Sequence, residues 1–331
     1  MRKLLLKCIL SEGEVSREAF ARWEGSVVFD DLDFEAFKLL PAVYLKCLRY
    51  QWQSPFLLRI KGAYRRTWTE NQLLLAHLHD LLSALTDSQI EFLVADETLR
   101  LTHICNDLGI YSLQHFSLAA PFRVKKNFDQ ILFDSGWESI EKGTELTFSQ
   151  KEKVSNLRIY WLGDAEFETQ IKIAGNVLIK DISRPTLSLE RQIINLCEKE
   201  FISFREEQSR WQYITSEFLN RETLDHPKLA SIARQRSVAH HLADMFKSLK
   251  EDFEVDIDEG LIVELRRSSL NRPPSLRRKI ANLWQSYRTL RKHGNSEISF
   301  REFLAQRWEA DSNTNLLKHA AKAGMRSLQS K

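Results

Sequence analysis

What this chain lacks narrows its class before any motif is weighed. No window approaches the roughly 18 consecutive apolar residues that a membrane-spanning helix needs. Met1-Arg-Lys-Leu-Leu-Leu opens like a secretion signal, but Lys7 interrupts the run and Ser11-Glu-Gly-Glu follows, so its apolar core is too short. Only four cysteines are present (Cys8, Cys47, Cys105 and Cys197), far apart, with no Cys-x-x-Cys pair and no histidine at zinc-ligand spacing. Each sits in an apolar, helix-like context, so buried free thiols and a cytoplasmic location are expected. Prolines number only seven, and no repeat or low-complexity tract occurs. That excludes a disordered chain and a repeat array. A dominant charge is missing too: 48 Lys and Arg stand against 45 Asp and Glu, a formal +3. Whole-chain electrostatics therefore names no partner.

What is present is material for a dense interior. The 331 residues are 43% apolar and include eight Trp and nineteen Phe, enough for two domains or one core with a large helical extension. Periodicity divides the chain into three. Residues 1–88 read as helical: Phe34–Tyr50 is expected to bend at Pro41, and Phe56–Leu85 carries Leu74, Leu78, Leu81, Leu82 and Leu85 as one apolar stripe. His77 and His79 border that stripe but diverge on a helix, which suits packing or surface roles better than a metal. Residues 89–184 alternate strand-like and helical segments. Strands are expected at Glu91–Ala95, Leu113–Ala120, Leu146–Gln150, Leu157–Leu162, Gln170–Ala174 and Val177–Ile182, with Gly175-Asn176 as a hairpin turn. Helices fall at about 97–108 and 124–134. Residues 185–331 are helical again, at Leu189–Phe204, Trp211–Leu219, His226–Arg236, Val238–Leu249, Asp258–Ser269, Leu276–His293, Phe300–Trp308 and Asn315–Leu328. Ser188 and Ser275 are placed to cap two of these, and Asn271-Arg-Pro-Pro-Ser is a firm break. The class is α+β.

The stretch from Ile90 to Trp137 has the layout of a catalytic site without its acids. Two apolar strands bracket a helix, and the second strand carries His115 and Ser117 two residues apart. Alternation along a strand points both the same way. The order of elements resembles the bacterial nucleotidyltransferase-family proteins, in which a minimal nucleotidyltransferase core is flanked by helices. In that family the first strand ends in Lys-Gly, the second carries Asp-x-Asp, the next helix ends in a Gly-Trp-like turn, and a later strand carries a third Asp beside His-Trp. Phe92-Leu-Val, Leu113–Ala120, Ser135-Gly-Trp137 and Leu157-Arg-Ile-Tyr-Trp161 match those segments. In the helical half Leu189-Glu-Arg-Gln-Ile-Ile-Asn-Leu, Trp211-Gln-Tyr-Ile and Leu229-Ala-Ser-Ile-Ala-Arg match as well, so the resemblance runs over about residues 1 to 250.

The departures from that pattern are consistent. Ala95-Asp96 stands where the family has Lys-Gly, His115 and Ser117 replace two acids, and Arg158 and Tyr160 replace the third acid and the His. Nucleotidyl transfer needs those carboxylates to hold Mg²⁺, and a neutral His, a Ser and a cationic Arg do not build a hard-cation site. The resemblance thus implies a fold that has lost metal-dependent catalysis and serves as a binding or regulatory module, with no metal and no cofactor expected. Its partner would be an unidentified protein or a nucleotide-like ligand, with Arg158, Lys125 and Lys126 as anion-binding candidates.

Two alternatives stay open. Displaced acids, Asp96 and Glu97, could restore a Mg²⁺ site if their loop folds back toward His115, although helix N-termini attract acids through capping and the dipole alone. Segment 266–292 holds nine basic residues, Arg277 and Arg278 among them, no acid, and Trp284 and Tyr287 between them. That composition suits nucleic acid or an anionic surface, against a helix whose cationic face is solvated or pairs with the acidic run 251–259. The run itself alternates acidic and apolar residues and lacks the glycine turn of a Ca²⁺ loop, so it reads as a connector with its apolar side packed. No Gly-x-Ser-x-Gly elbow surrounds Ser117, which removes the nucleophile reading. His240 and His241 diverge on their helix.

Overall fold

The structure, a computed structural model, describes residues 1–113, 116–142, 145–150, 153–179, 182–202 and 208–270. Four helices come first: α1 (Arg2–Leu10), α2 (Gly13–Glu24), α3 (Phe34–Tyr50) and α4 (Leu57–Asp87). Asp33 starts α3 by accepting from the Ala36 amide at 2.8 Å, and Pro41 lies inside that continuous helix. The middle of the chain runs β1 (Leu93–Val94), α5 (Glu97–Cys105), β2 (Phe116–Pro121), α6 (Lys125–Asp134), β3 (Trp137–Lys142), β4 (Glu145–Gln150), β5 (Lys153–Leu162), α7 (Asp164–Lys172), β6 (Gly175–Ile179) and β7 (Ile182–Thr186). Five helices follow: α8 (Leu189–Ile202), α9 (Gln208–Arg221), α10 (His226–Arg236), α11 (Ala239–Phe253) and α12 (Glu259–Leu270). Ser188 caps α8 as expected, its hydroxyl accepting from the Arg191 amide at 3.4 Å.

The strands form one seven-stranded mixed sheet in the order β3-β4-β5-β2-β1-β7-β6, which makes the protein α+β. β2 pairs antiparallel with β1 and parallel with β5, and β1 pairs parallel with β7. One face, bearing Val94, Leu118, Ile159 and their neighbours, packs on the leucine stripe of α4 and on Phe128 and Leu132 of α6. The other face, bearing Leu93, Ala95 and Ala119, packs on Phe167 and Ile171 of α7.

Two expected elements differ. Residues 170–172, read as the start of a strand, close α7: Phe167 and Ile171 are spaced i, i+4 on one helix face, and Gly163 with Asp164 and Glu166 supplies the N-terminal signals. Gly175-Asn176 is not a turn but opens β6, and the reversal falls between Ile179 and Ile182. β3 was hidden in the sequence because only Trp137 announces it.

The helical stretches 1–88 and 185–331 are distant in sequence yet share an interior. Residues of α1–α3 and the first half of α4 join those of α8–α12 in one apolar cluster, with Trp23, Phe218 and Phe246 fully buried in it. α4 serves both cores, giving Ile60 and Ala63 to the helices and Leu74–Leu85 to the sheet. In the acidic run, Phe253, Val255 and Ile257 are buried between exposed Glu254, Asp256 and Asp258, as the alternation implied. The expected helices beyond residue 270, Ser275 and most of segment 266–292 lie outside the described residues.

Candidate functional site

The parallel pairing of β2 with β5 sets Ser117 directly beside Arg158, and Ala119 beside Tyr160. Paired residues point to the same face, so Ser117, Arg158 and Tyr160 share the face that also carries Ala95 and Ala119. β1 completes the register through the Ala95 amide, which donates to the Ser117 carbonyl at 2.8 Å. His115 lies outside the described residues, so its position relative to this group is not part of the site.

This face is covered. Phe167 of α7 is 1% exposed against it, and Ser117 is fully buried, its hydroxyl without a hydrogen-bond partner among the described residues. Arg158 and Tyr160 are half-buried nearer the edge, and each is engaged by other groups. A ligand reaching Ser117 would have to displace the groups that bury it.

The two displaced acids have structural work. Asp96 is the N-cap of α5, its carboxylate accepting from the Leu99 amide at 2.9 Å. Glu97, fully buried, faces Arg210 of α9 at 3.4 Å, and the same guanidinium donates to the Thr98 hydroxyl at 3.1 Å. No group of three or more His, Cys, Asp or Glu among the described residues is arranged to hold a metal ion.

The anion-binding candidates are not brought together. The Lys125 ammonium lies 5.2 Å from the Trp161 ring and 2.6 Å from Asp129. Trp161 alternates with Arg158 and Tyr160 and so lies on the opposite face, the one that packs on α6. Lys126 is exposed on α6, and Arg277 and Arg278 lie outside the described residues.

Three features escaped the sequence reading. Asn71 is fully buried on α4 and braces the loop before β2: its amide donates to the carbonyls of Leu108 (2.6 Å) and Tyr111 (2.8 Å) and accepts from the Leu113 amide (2.8 Å). A polar residue in phase with Leu74 and Leu78 was the available signal. α5 is tied to α9 a second time, where Arg100 holds Glu222 through both carboxylate oxygens and also donates to the Leu187 carbonyl at 3.0 Å. An open groove of about 390 Å³ lies between α5, the end of α9 and the β6–β7 hairpin, lined by Arg100, His103 and Arg221 among others.

The cysteines are free; burial pushes the thiols of Cys8 and Cys47 up to about 12, as it does for half-buried Cys105, where the Glu217 carboxylate adds to the effect. They are poor nucleophiles and poor metal ligands. No helix among the described residues is long and apolar enough to cross a membrane.

Compared with known proteins, the chain matches no family model, no curated protein and no solved structure.

Proposed function

We propose that this chain is a nucleotidyltransferase-fold protein that has lost metal-dependent catalysis and acts as a binding or regulatory module in the cytoplasm. The observation that carries the reading is the pairing of Ser117 with Arg158 on a buried sheet face. These are two of the positions that the resemblance equates with metal-binding acids, and in the register they are immediate neighbours. Neighbouring acids there would suit a shared Mg²⁺, whereas a hydroxyl beside a guanidinium repels one. The strand–helix–strand–helix order through Pro121 and Asp134, with β5, the strand equated with that of the third acid, laid against β2, supports the reading. The roles of Asp96 as a cap and Glu97 as the partner of Arg210 weigh against a displaced acid site.

The test is a melting-temperature titration with ATP, CTP, GTP and UTP, each with and without Mg²⁺. The reading expects no Mg²⁺-dependent stabilisation. A shift that needs Mg²⁺ and disappears in Asp96→Asn or Glu97→Gln would overturn it in favour of the displaced-acid enzyme.

A further inference from the structure

β6 is an outer strand of the sheet and, among the described residues, pairs only with β7. The register fixes which backbone groups it leaves over. In an antiparallel pair, opposed residues alternate between exchanging both hydrogen bonds and exchanging none. Asn176 lies opposite Pro185, which has no N–H, so that pair is a non-bonded one. The bonded pairs are then Gly175 with Thr186, Val177 with Arg184 and Ile179 with Ile182. The N–H and C=O groups of Asn176 and Leu178 consequently point away from β7, toward the open edge.

The groove of about 390 Å³ meets the start of this strand at Asn176 and Val177, reaches Thr186 of β7, and is lined across from them by Arg100, His103 and Arg221. It is lined by two arginines and one glutamate. The Glu222 carboxylate is held by the Arg100 fork. Arg221 uses its Nε on Glu217 at 2.8 Å while its side chain remains 48% exposed, and His103 is exposed on α5. Leu178, 52% exposed, adds an apolar contact beside the edge.

We propose that the β6 edge docks a short extended peptide segment with acidic side chains, which adds to the sheet as an eighth strand. Backbone pairing with Asn176 and Leu178 holds the segment, and Arg221 and His103 select its carboxylates. This gives the binding role an occupant, yet it rests on the strand edge and not on the acid-free face, so a chain that transferred nucleotides would leave it standing.

The experiment is fluorescence anisotropy at low salt with labelled Val-Glu-Val-Glu-Val-Glu-Val, its Lys-for-Glu counterpart, and an acidic version N-methylated at alternate amides. The acidic peptide is expected to bind saturably, and the other two to bind about tenfold or more weakly. Asn176→Pro removes the outward N–H at a position that makes no hydrogen bond to β7 and is expected to weaken binding about fivefold with little change in melting temperature. His103→Glu, on an exposed helix surface, reads the charge preference should the proline variant fold poorly. Absence of saturable binding up to about 1 mM overturns the proposal, as does equal binding of the N-methylated peptide.

Discussion

Asn71 offers the sharpest test of how the sheet is positioned. Replacing it with Leu keeps the approximate shape and removes all three hydrogen bonds that hold residues 108–113. The Tyr111 carbonyl and the Leu113 amide belong to residues 1% and 6% exposed, so neither readily finds water, whereas half-buried Leu108 partly does. Each buried backbone group left unpaired costs about 1–3 kcal/mol, which puts the gross loss near 2–6 kcal/mol. Added apolar burial returns about 1–2 kcal/mol. Urea unfolding of Asn71→Leu should therefore show a net loss of about 1–4 kcal/mol with an unchanged m-value. Asn71→Asp separates the donors from the acceptor. The carboxylate still accepts from Leu113 but faces two carbonyls as a buried anion, so its pKa in the fold rises above the unfolded value. The sign follows: its penalty is full at neutral pH and shrinks as pH falls and the group protonates. A loss under about 0.5 kcal/mol for Asn71→Leu refutes the bracing role.

Other residues give equally direct readings. Ser117→Ala removes a buried hydroxyl with no partner among the described residues and should leave stability within about 0.5 kcal/mol of the parent or raise it. Ser117→Asp places a carboxyl at a fully buried position and should cost about 2–4 kcal/mol, whereas a working acid site would accept it; thermal melts decide. Glu97→Gln removes the buried carboxylate that faces the Arg210 guanidinium and should cost about 2–4 kcal/mol in denaturant unfolding, while Asp96→Asn, still a good N-cap, should cost well under about 1 kcal/mol. A stable Glu97→Gln would contradict the structural role given to that acid. The buried thiols Cys8 and Cys47 should resist a thiol reagent in the native chain and react once it is unfolded. Because their pKa is raised by burial, the stability they contribute is complete below the ordinary thiol value near 9 and drains away as pH climbs toward about 12. Rapid native labelling at Cys8 would count against that burial.

Much of the helical framework was legible because its signals are local. Leucine spacing marked α4, Ser188 marked the start of α8, and the acid–apolar alternation at 251–259 told which side chains would be buried. The segment 170–174 misled because Gln-Ile-Lys-Ile-Ala alternates like a strand, and only the tertiary pairing of Phe167 and Ile171 against the sheet favours a helix. β3 and the role of Asn71 depend on partners tens of residues away, which no local pattern encodes. At the candidate site, Ser117, Arg158 and Tyr160 come to one face only through the pairing of β2 with β5, which no local pattern encodes. Alternation did not reveal that Ala119 and Tyr160 pack with Phe167 of α7, nor that Lys125 falls on the other face over Trp161. Composition gives the hydrophobicity of a strand, whereas what lies against it is a property of the whole chain.

The central claim is that this fold has no working nucleotidyl-transfer site. Its most direct measurement is incubation of the full chain with α-³²P-labelled nucleoside triphosphates and Mg²⁺, followed by quantifying label transferred to protein or to added acceptors, alongside Glu97→Gln and Asp96→Asn. The account predicts that the parent chain transfers no more label than either variant and no more than a Mg²⁺-free control. Mg²⁺-dependent transfer by the parent that is abolished in one of those variants would contradict it.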